Sequence, residues 1–283
     1  MATFFNQATL SYSGGTVNSN ITTGEILEVL SASKTAVGDD YSASSDVTYV
    51  INIVNTGSVP YTGLTITDNL GTYTQGTLTL TPLDYVEGSV RYFVNGNLQA
   101  TGAVTAGPPL VISGINVPAG GVATIAYTAR TNAFAPPEGE GTITNTALIS
   151  GGGITDITVT ETINAANEPS LTITKSVSPT TVVENGQITY TFVIQNTGNT
   201  PAVTTDNVVI TDTFNPVLSD IVVTYNSAPW TEGVNYTYNE QTGLFTTSAG
   251  QITVPAATYT QNTQTGEWVV TPGVATVTVT GTI

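Results

Sequence analysis

Residues 45–57 read SDVTYVINIVNTG, and residues 186–198 read GQITYTFVIQNTG. Both stretches alternate apolar residues with polar or β-branched ones, and both end on the turn-forming triplet Asn-Thr-Gly. Period-two alternation that ends at Asn and Gly predicts a half-buried β-strand. Because the same pattern occurs twice, the chain is predicted to repeat one β-structured unit.

The repeat continues on both sides of these strands. A lysine precedes the strand tyrosine by 15 residues in each copy, as Lys34 precedes Tyr49 and Lys175 precedes Tyr190. Each strand is followed by Ile-Thr-Asp and later by Val-Ala-Thr; these triplets stand at residues 66–68, 122–124, 210–212 and 274–276. Gly, Pro and Asn separate the apolar runs, and no segment shows helical periodicity. The pattern predicts an all-β fold of two β-sandwich domains in tandem, preceded by an N-terminal donor strand.

The segment NAANEP, residues 164–169, separates the two copies. We therefore predict a donor strand and linker over residues 1–24 and a complete β-sandwich over residues 25–165. A second β-sandwich, lacking its last strand, is predicted over residues 166–283.

The composition excludes several classes of function. The chain has 283 residues, a formal net charge of −16, no cysteine and no histidine. Without a basic surface, neither nucleic acid nor an anionic membrane is an expected partner. Without Cys and His, disulfides, zinc sites and Ser-His triads are excluded. We expect no metal, no cofactor and no turnover enzyme. The sequence contains no apolar run of about 18 residues, so no membrane span is predicted.

The order of the motifs resembles a known family. Lys, a Tyr-containing strand ending in NTG, then ITD and TNTA is the order found in the bacterial repeat called "domain of unknown function eleven". These repeats are Ig-like modules of extracellular surface proteins. The resemblance covers both predicted domains and implies a structural module without enzymatic activity, located on a cell or spore surface. No secretory signal is visible at the start of the chain.

A strand of the second copy is predicted to be missing. In the first copy, Val122 is followed by a further strand, TNTALISGG, which contains Asn145; after Val274 the second copy ends without it. A stretch of the same type, FFNQATLSYSGG, stands at residues 4–15. Asn145 precedes Lys175 by 30 residues, and Asn6 precedes its lysine by 28. The chain is therefore predicted to be a permuted repeat.

A sandwich without its last strand exposes an apolar groove and an unpaired edge. If the first strand of one copy fills the groove of another, the contact is heterologous and builds an open filament. The predicted anchors of the donated strand are Phe4, Phe5, Ala8, Leu10 and Tyr12. The expected partner is thus another copy of this chain. A separate tip or anchor protein is a further possible partner. Folding back onto the same chain, or a disordered N-terminal tail, remains an alternative, and so does a monomeric adhesive or carbohydrate-binding module.

The two lysines occupy the same position in the two copies. The chain contains no others, and Lys34 and Lys175 both lie among apolar residues of a first strand. An isolated buried ammonium is costly, and desolvation favours the neutral amine, which is a nucleophile.

Ig-like adhesin and pilin domains that form internal Lys–Asn isopeptide bonds use a Lys on the first strand, an Asn on the last and an acid between them. The resemblance implies a bond between Lys34 and Asn145 within the first domain, with Asp68 as the catalytic acid. In this chemistry the neutral amine attacks the carboxamide carbon, the protonated acid polarises the carboxamide oxygen, and ammonia leaves.

In the second domain the same resemblance implies Lys175 and the acid Asp212, with Asn6 supplied by another subunit. Simple ion pairs between each lysine and its aspartate remain an alternative, as does a turn-capping role for the aspartates. The acid could instead be one of three glutamates, Glu25, Glu87 and Glu161. Two further asparagines, in the NTG triplets at residues 55 and 196, are interpreted as turn residues.

Overall fold

The computed structural model describes residues 2–26 and 29–283. The described chain is almost entirely β-structure, with one short 3-10 helix at Thr204–Asp206. The predicted all-β class is confirmed. No helix in these two ranges is long and apolar enough to span a bilayer.

The N-terminal part of the chain is a β-hairpin. Its strands are β1 (Ala2–Asn6), β2 (Thr9–Tyr12), β3 (Gly15–Asn18) and β4 (Thr22–Ile26). β1 pairs with β4 and β2 pairs with β3, both antiparallel. Residues 15–26, which overlap the predicted donor strand and linker, return as a second strand. The reversal is a two-residue turn at Ser13 and Gly14, where Tyr12 faces Gly15; Gly15 has a φ of 137°, which glycine adopts readily.

The next strands form a β-sandwich, here called the first sandwich. Its strands are β5 (Leu30–Val37), β6 (Asp40–Tyr41), β7 (Asp46–Asn55), β8 (Tyr61–Asp68), β9 (Tyr73–Gln75), β10 (Leu78–Leu80), β11 (Leu83–Tyr85), β12 (Arg91–Val94), β13 (Asn97–Gln99), β14 (Val104–Thr105), β15 (Leu110–Val117), β16 (Val122–Thr131), β17 (Thr142–Gly151) and β18 (Ile157–Ala165). One sheet has the order β13-β12-β16-β7-β5, with β11 also paired to β16. The other has the order β14-β15-β8-β17-β18-β6.

The core of the first sandwich follows the period-two pattern of the sequence. In β7, Val47, Tyr49, Ile51 and Ile53 are buried, whereas the residues between them are partly exposed. These apolar side chains pack against buried residues of the facing sheet, such as Ile66. Burial of one face of each sheet is what selects this register, since a slip of one residue would turn the apolar set towards solvent.

The remaining strands form the second sandwich. They are β19 (Leu171–Ser178), β20 (Gln187–Asn196), β21 (Thr211–Thr213), β22 (Ser219–Tyr225), β23 (Ala228–Pro229), β24 (Tyr236–Asn239), β25 (Leu244–Thr247), β26 (Thr258–Gln261), β27 (Trp268–Thr271) and β28 (Gly273–Thr282). One sheet has the order β19-β20-β28-β22-β23, and a smaller sheet has the order β21-β25-β24. β26 and β27 form a separate pair.

The second sandwich has its own hydrophobic core. Phe192 of β20, Val277 of β28 and Phe245 of β25 are among its buried residues, so both sheets contribute. This cluster shares no residue with the first core. The domain limits at residues 24/25 and 165/166 stay a prediction.

The asparagines of the two NTG triplets anchor equivalent turns. Asn55 donates to the Val59 and Pro118 carbonyl oxygens at 2.8 and 3.0 Å, and accepts from the Gly57 amide at 2.9 Å. Asn196 also donates to two carbonyl oxygens, at 2.8 and 3.1 Å, and accepts from the amide two residues later at 2.9 Å. Their role as turn residues agrees with the interpretation from the sequence.

Candidate functional site

The first candidate site centres on a buried ion pair. Lys34 on β5 is 4% exposed and Asp68, the last residue of β8, is fully buried. The Lys34 Nζ lies 2.7 Å from Asp68 Oδ2, and the Leu70 amide donates to Asp68 Oδ1 at 2.9 Å. Burial lowers the pKa of Lys34 from its ordinary value of 10.5 to about 8, although the negative charge of Asp68 acts in the opposite direction. A neutral, nucleophilic amine is therefore accessible near neutral pH.

Asn145 lies beside this pair on β17 and is fully buried. Its Nδ2 donates to the Tyr127 hydroxyl at 3.0 Å, and that hydroxyl donates to Asp68 Oδ2 at 2.5 Å. The Gly71 amide donates to Asn145 Oδ1 at 3.2 Å. Lysine, aspartate and asparagine, the three residues predicted from the sequence, are thus joined in one hydrogen-bonded cluster.

In the structure, the group that contacts the Asn145 carboxamide oxygen differs from the one in the sequence-based hypothesis. That hypothesis has Asp68 in contact with the Asn145 oxygen. The structure places the Tyr127 hydroxyl between the two side chains, and the oxygen accepts from the backbone amide of Gly71. A fixed N–H group aimed at a carbonyl oxygen stabilises the negative charge that develops there when an amine attacks.

Two aromatic rings form the wall of the site. Tyr49 and Tyr127 stack with ring centroids 5.5 Å apart, and Lys34 Nζ lies 4.8 Å from the Tyr49 ring centroid. Burial raises the pKa of the Tyr127 hydroxyl well above its usual value, so this group keeps its proton at neutral pH. It can therefore donate to Asp68 throughout the physiological range.

Sequence reasoning did not identify Tyr127 or Gly71. Tyr127 lies on β16 directly opposite Tyr49 of β7, so the period-two pattern could have placed it inside the core. The comparison of repeats hides it, because Val279 occupies the matching position of the second copy, five residues after Val-Ala-Thr begins. Gly71 acts through its backbone, which leaves no side-chain signal.

The other candidate acids are arranged differently. Glu161 on β18 is the cross-strand neighbour of Asn145, and its charge favours protonated Lys34. Glu87 is exposed in a loop. The side chain of Glu25 lies outside the described part of the structure. Of the candidate acids whose side chains the structure describes, Asp68 is the one in contact with Lys34.

The second candidate site contains the same ion pair in an open setting. Lys175 Nζ forms an ion pair with Asp212 Oδ2, and the two side chains are 39% and 21% exposed. Lys175 Nζ lies 4.4 Å from the Tyr190 ring centroid and 5.3 Å from that of Phe214. No asparagine side chain hydrogen-bonds to either member of the pair within residues 2–26 and 29–283. The aromatic wall is thus present while the carboxamide is not.

This opening follows from strand pairing. In the first sandwich, β8 pairs with β15 on one side and with β17, the strand of Asn145, on the other. Its counterpart β21 pairs with β25, and no described strand occupies its other side. The acidic residue at this edge, Asp212, is therefore left where a strand bearing an asparagine would fit.

Asn6 lies on the N-terminal hairpin, where its carbonyl oxygen accepts from the Thr22 hydroxyl, and no described hydrogen bond joins it to a lysine. Every described side chain of that hairpin up to Thr23 is exposed. The large apolar residues among them are exposed by 51–68%: Phe4, Phe5, Leu10, Tyr12, Val17 and Ile21. None of the predicted anchors has a core to pack against, which leaves an unusually apolar surface for so short a segment.

Replacing Tyr127 by Phe tests whether this hydroxyl positions Asn145. The change leaves the buried Asn145 Nδ2 and Asp68 Oδ2 each without one partner, so we expect the free energy of unfolding to fall by about 1–3 kcal/mol. If the lysine–asparagine bond forms, its rate of formation, followed by intact mass, should fall as well.

The matched control is Tyr85→Phe, because Tyr85 packs against the core of the first sandwich outside the cluster and its hydroxyl makes no hydrogen bond to a described residue. It should change neither the stability nor the rate appreciably. Equal effects of the two variants on the rate would show that Tyr127 is only a packing residue.

No protein-family model matches the chain, and no curated protein matches it significantly. Among solved structures, BcpA, the major pilin subunit of Bacillus cereus, is 11% identical, with a TM-score of 0.36, over 96% of this chain and 73% of its own. The pilus backbone RrgB from Streptococcus pneumoniae is 14% identical, with a TM-score of 0.35, over 86% of this chain and 55% of its own. The collagen-binding domain of a Staphylococcus aureus adhesin is 13% identical, with a TM-score of 0.31, over 50% of this chain and 99% of its own. Similarities this low assign no family, and the resemblance to the bacterial surface repeat stays a prediction.

Proposed function

We propose that this chain is the structural subunit of a self-assembling extracellular fibre on a cell or spore surface. The N-terminal segment of one subunit completes the second sandwich of the next, head to tail. Lys–Asn isopeptide bonds lock both the first sandwich and each junction between subunits. No turnover enzyme, metal or cofactor takes part in this proposal.

The observation that supports the proposal is that the chain contains two incomplete sites, each of which has the residues that the other lacks. The second sandwich presents Lys175 and Asp212 at an open sheet edge without an asparagine. The exposed hairpin presents Asn6 without a lysine. In the first sandwich the corresponding three residues lie together and are buried. Joining hairpin and edge from two copies would reproduce that complete arrangement.

The proposed bond forms by one balanced reaction. The neutral Lys175 amine attacks Cγ of Asn6 and gives up one proton, the bond from Cγ to Nδ2 breaks, and the departing NH2 takes up one proton and leaves as ammonia. Asp212, as the partner of the lysine, holds and returns the proton. The docked hairpin would exclude water from the pair, and an Ig-like fibre without cysteine would acquire covalent strength.

The test is denaturing gel electrophoresis of boiled protein combined with intact mass spectrometry. Wild type should give a ladder of covalent multimers, with one ammonia lost at each junction and one within each subunit. Lys175→Ala and Asn6→Ala should each give monomers that have lost a single ammonia, from Lys34 and Asn145. Asn20→Ala, a change in the same exposed hairpin, is the control that should keep the ladder.

Other outcomes identify the alternatives. A wild-type monomer of full mass would remove the covalent chemistry, and electron micrographs would then decide whether strand donation occurs without it. A monomer that has lost two ammonias would mean that the hairpin fills its own chain's edge. A monomer of full mass that forms no fibres would favour the adhesive or carbohydrate-binding module.

A further inference from the structure

The strand that carries Asn145 is half of a hairpin. β17 pairs along its length with β18, and Asn145 faces Glu161 across that pair. β18 also packs against β5, the strand of Lys34, and thereby closes the first sandwich over the lysine. Completing a sandwich of this kind therefore takes two strands and not one.

The N-terminal hairpin matches the β17–β18 hairpin in its dimensions. Asn6 faces Thr22 and Asn145 faces Glu161, so the cross-strand partner follows each asparagine by 16 residues. Pairs on either side of the asparagine also correspond: Leu10 with Val17 and Ile149 with Ile157, and Phe4 with Gly24 and Ile143 with Ile163. Val17 and Thr22 are an odd number of residues apart, which regular alternation would place on opposite faces. The one-residue change of register between β3 and β4 returns them to the same face of the hairpin.

The corresponding pairs of the two hairpins are both apolar but divide their volume differently. In the first sandwich, Ile143 and Ile163 are both buried and of equal size. In the N-terminal hairpin the pair is Phe4 and Gly24, and a side chain at Gly24 would collide with the Phe4 ring. The Phe4 ring therefore occupies the space over Gly24, and this pair presents one large apolar side chain where the first sandwich has two of middle size.

In its described residues, the second sandwich has no counterpart of the contacts that β17 and β18 make in the first sandwich. In β5 the residues on the face of Lys34, namely Leu30, Ala32 and Ala36, are all partly buried. All eight residues of β19 are exposed, including Ile173, on the face of Lys175, at 53%. A single strand added beside β21 would leave β19 uncovered, because in the first sandwich β18 is the strand that packs on β5.

We propose that the donated element is the whole hairpin, residues 2–26, of a second copy of this chain. This inference rests on the proposed function and specifies the unit that is exchanged. β17 pairs with β8 with Ala147 opposite Asp68, and transfer of that register puts Ala8 opposite Asp212 and Leu10 opposite Ile210. The strand formed by β3 and β4 then covers β19 and places Thr22 near Lys175.

The register sorts the predicted anchors by face. Phe4, Ala8 and Leu10 share the face of Asn6 and enter the core. Phe5 faces Thr23 in the adjacent, outward pair, so it lies on the outer surface of the completed sandwich. Tyr12 corresponds to Gly151 at the exposed end of β17, so Phe5 and Tyr12 are the two predicted anchors that the hairpin register leaves out of the core.

The inference is tested by charges placed on the second strand. Val17→Asp puts a carboxylate at the position equivalent to Ile157, which packs against the core, and multimers of the otherwise unchanged chain should fall about tenfold or more at equal concentration. Thr16→Asp is the matched control: Thr16 precedes Val17 as Asp156 precedes Ile157, so an aspartate already occupies the equivalent outward position in the first sandwich. Val17 is half-exposed in the free chain, so the substitution should not unfold it.

The outcomes separate this inference from the proposed function. Loss of multimers with Val17→Asp, but not with Thr16→Asp, supports donation of the hairpin. Undiminished multimers with Val17→Asp, together with their loss in Leu10→Asp, would overturn it and leave single-strand donation standing. A wild type that remains monomeric would overturn both, and a monomer lacking two ammonias would identify the hairpin of the same chain as the occupant.

Discussion

The bond between Lys34 and Asn145 is expected to form about fifty times faster at pH 8 than at pH 6, because the attacking amine must be neutral. Burial lowers the pKa of Lys34 to about 8. The neutral fraction is then roughly one half at pH 8 and roughly one hundredth at pH 6. Above pH 9 the rate should level off, since almost all of the amine is already neutral.

The measurement requires a chain that has not yet folded. Protein recovered in denaturant from inclusion bodies can be refolded over a series of pH values, and the loss of ammonia followed by intact mass. The Lys175→Ala variant keeps the second bond out of the signal. A rate that does not change between pH 6 and pH 8 would show that deprotonation of Lys34 does not limit the reaction, and Asn145→Ala should lose no ammonia at any pH.

Removing Lys34 is expected to cost about 3–5 kcal/mol of unfolding free energy, because it leaves Asp68 buried without its countercharge. The comparison is made in a Leu10→Asp, Asn145→Ala background, which should be monomeric and unable to form either bond. In that background Lys34→Met removes the ammonium at nearly constant side-chain volume. Chemical denaturation of each variant measures the loss.

Two further variants show that the cost arises from burial of the charge. Adding Asp68→Asn to Lys34→Met should recover most of the loss, because asparagine is neutral, has nearly the same size and can still hydrogen-bond to the Leu70 amide and the Tyr127 hydroxyl. Lys175→Met should cost less than about 1 kcal/mol, since both members of its ion pair are partly exposed. Equal losses for Lys34→Met and Lys175→Met would contradict the difference in burial between the two sites.

The sequence predicted the residues of the first site but not their connections. Lys34, Asp68 and Asn145 stand at repeated positions, and the structure brings all three into one cluster. Tyr127, which joins the aspartate to the asparagine, was not predicted because the second copy has valine there. Hydrogen bonds through a residue that only one copy possesses cannot be found by comparing the copies.

The N-terminal segment shows a second limit. Its apolar residues and Asn6 were recognisable as a strand, because alternation and spacing are local properties. The return of residues 15–26 as a second strand depends on a two-residue turn and on cross-strand pairing, which a search for one missing strand overlooks. The need for two strands became visible only from the packing of β18 on β5.

By itself, the sequence determined the β-class, the twofold repeat and the equivalence of the two lysines, because period-two patterning and residue spacing are properties of the linear sequence. Tertiary structure alone decided that one Lys–Asp pair is buried and the other open. Burial depends on which strands lie over the pair, and those strands are distant in sequence. That difference in coverage lowers the pKa of Lys34 and leaves Asp212 on a strand that has no described neighbour on one side.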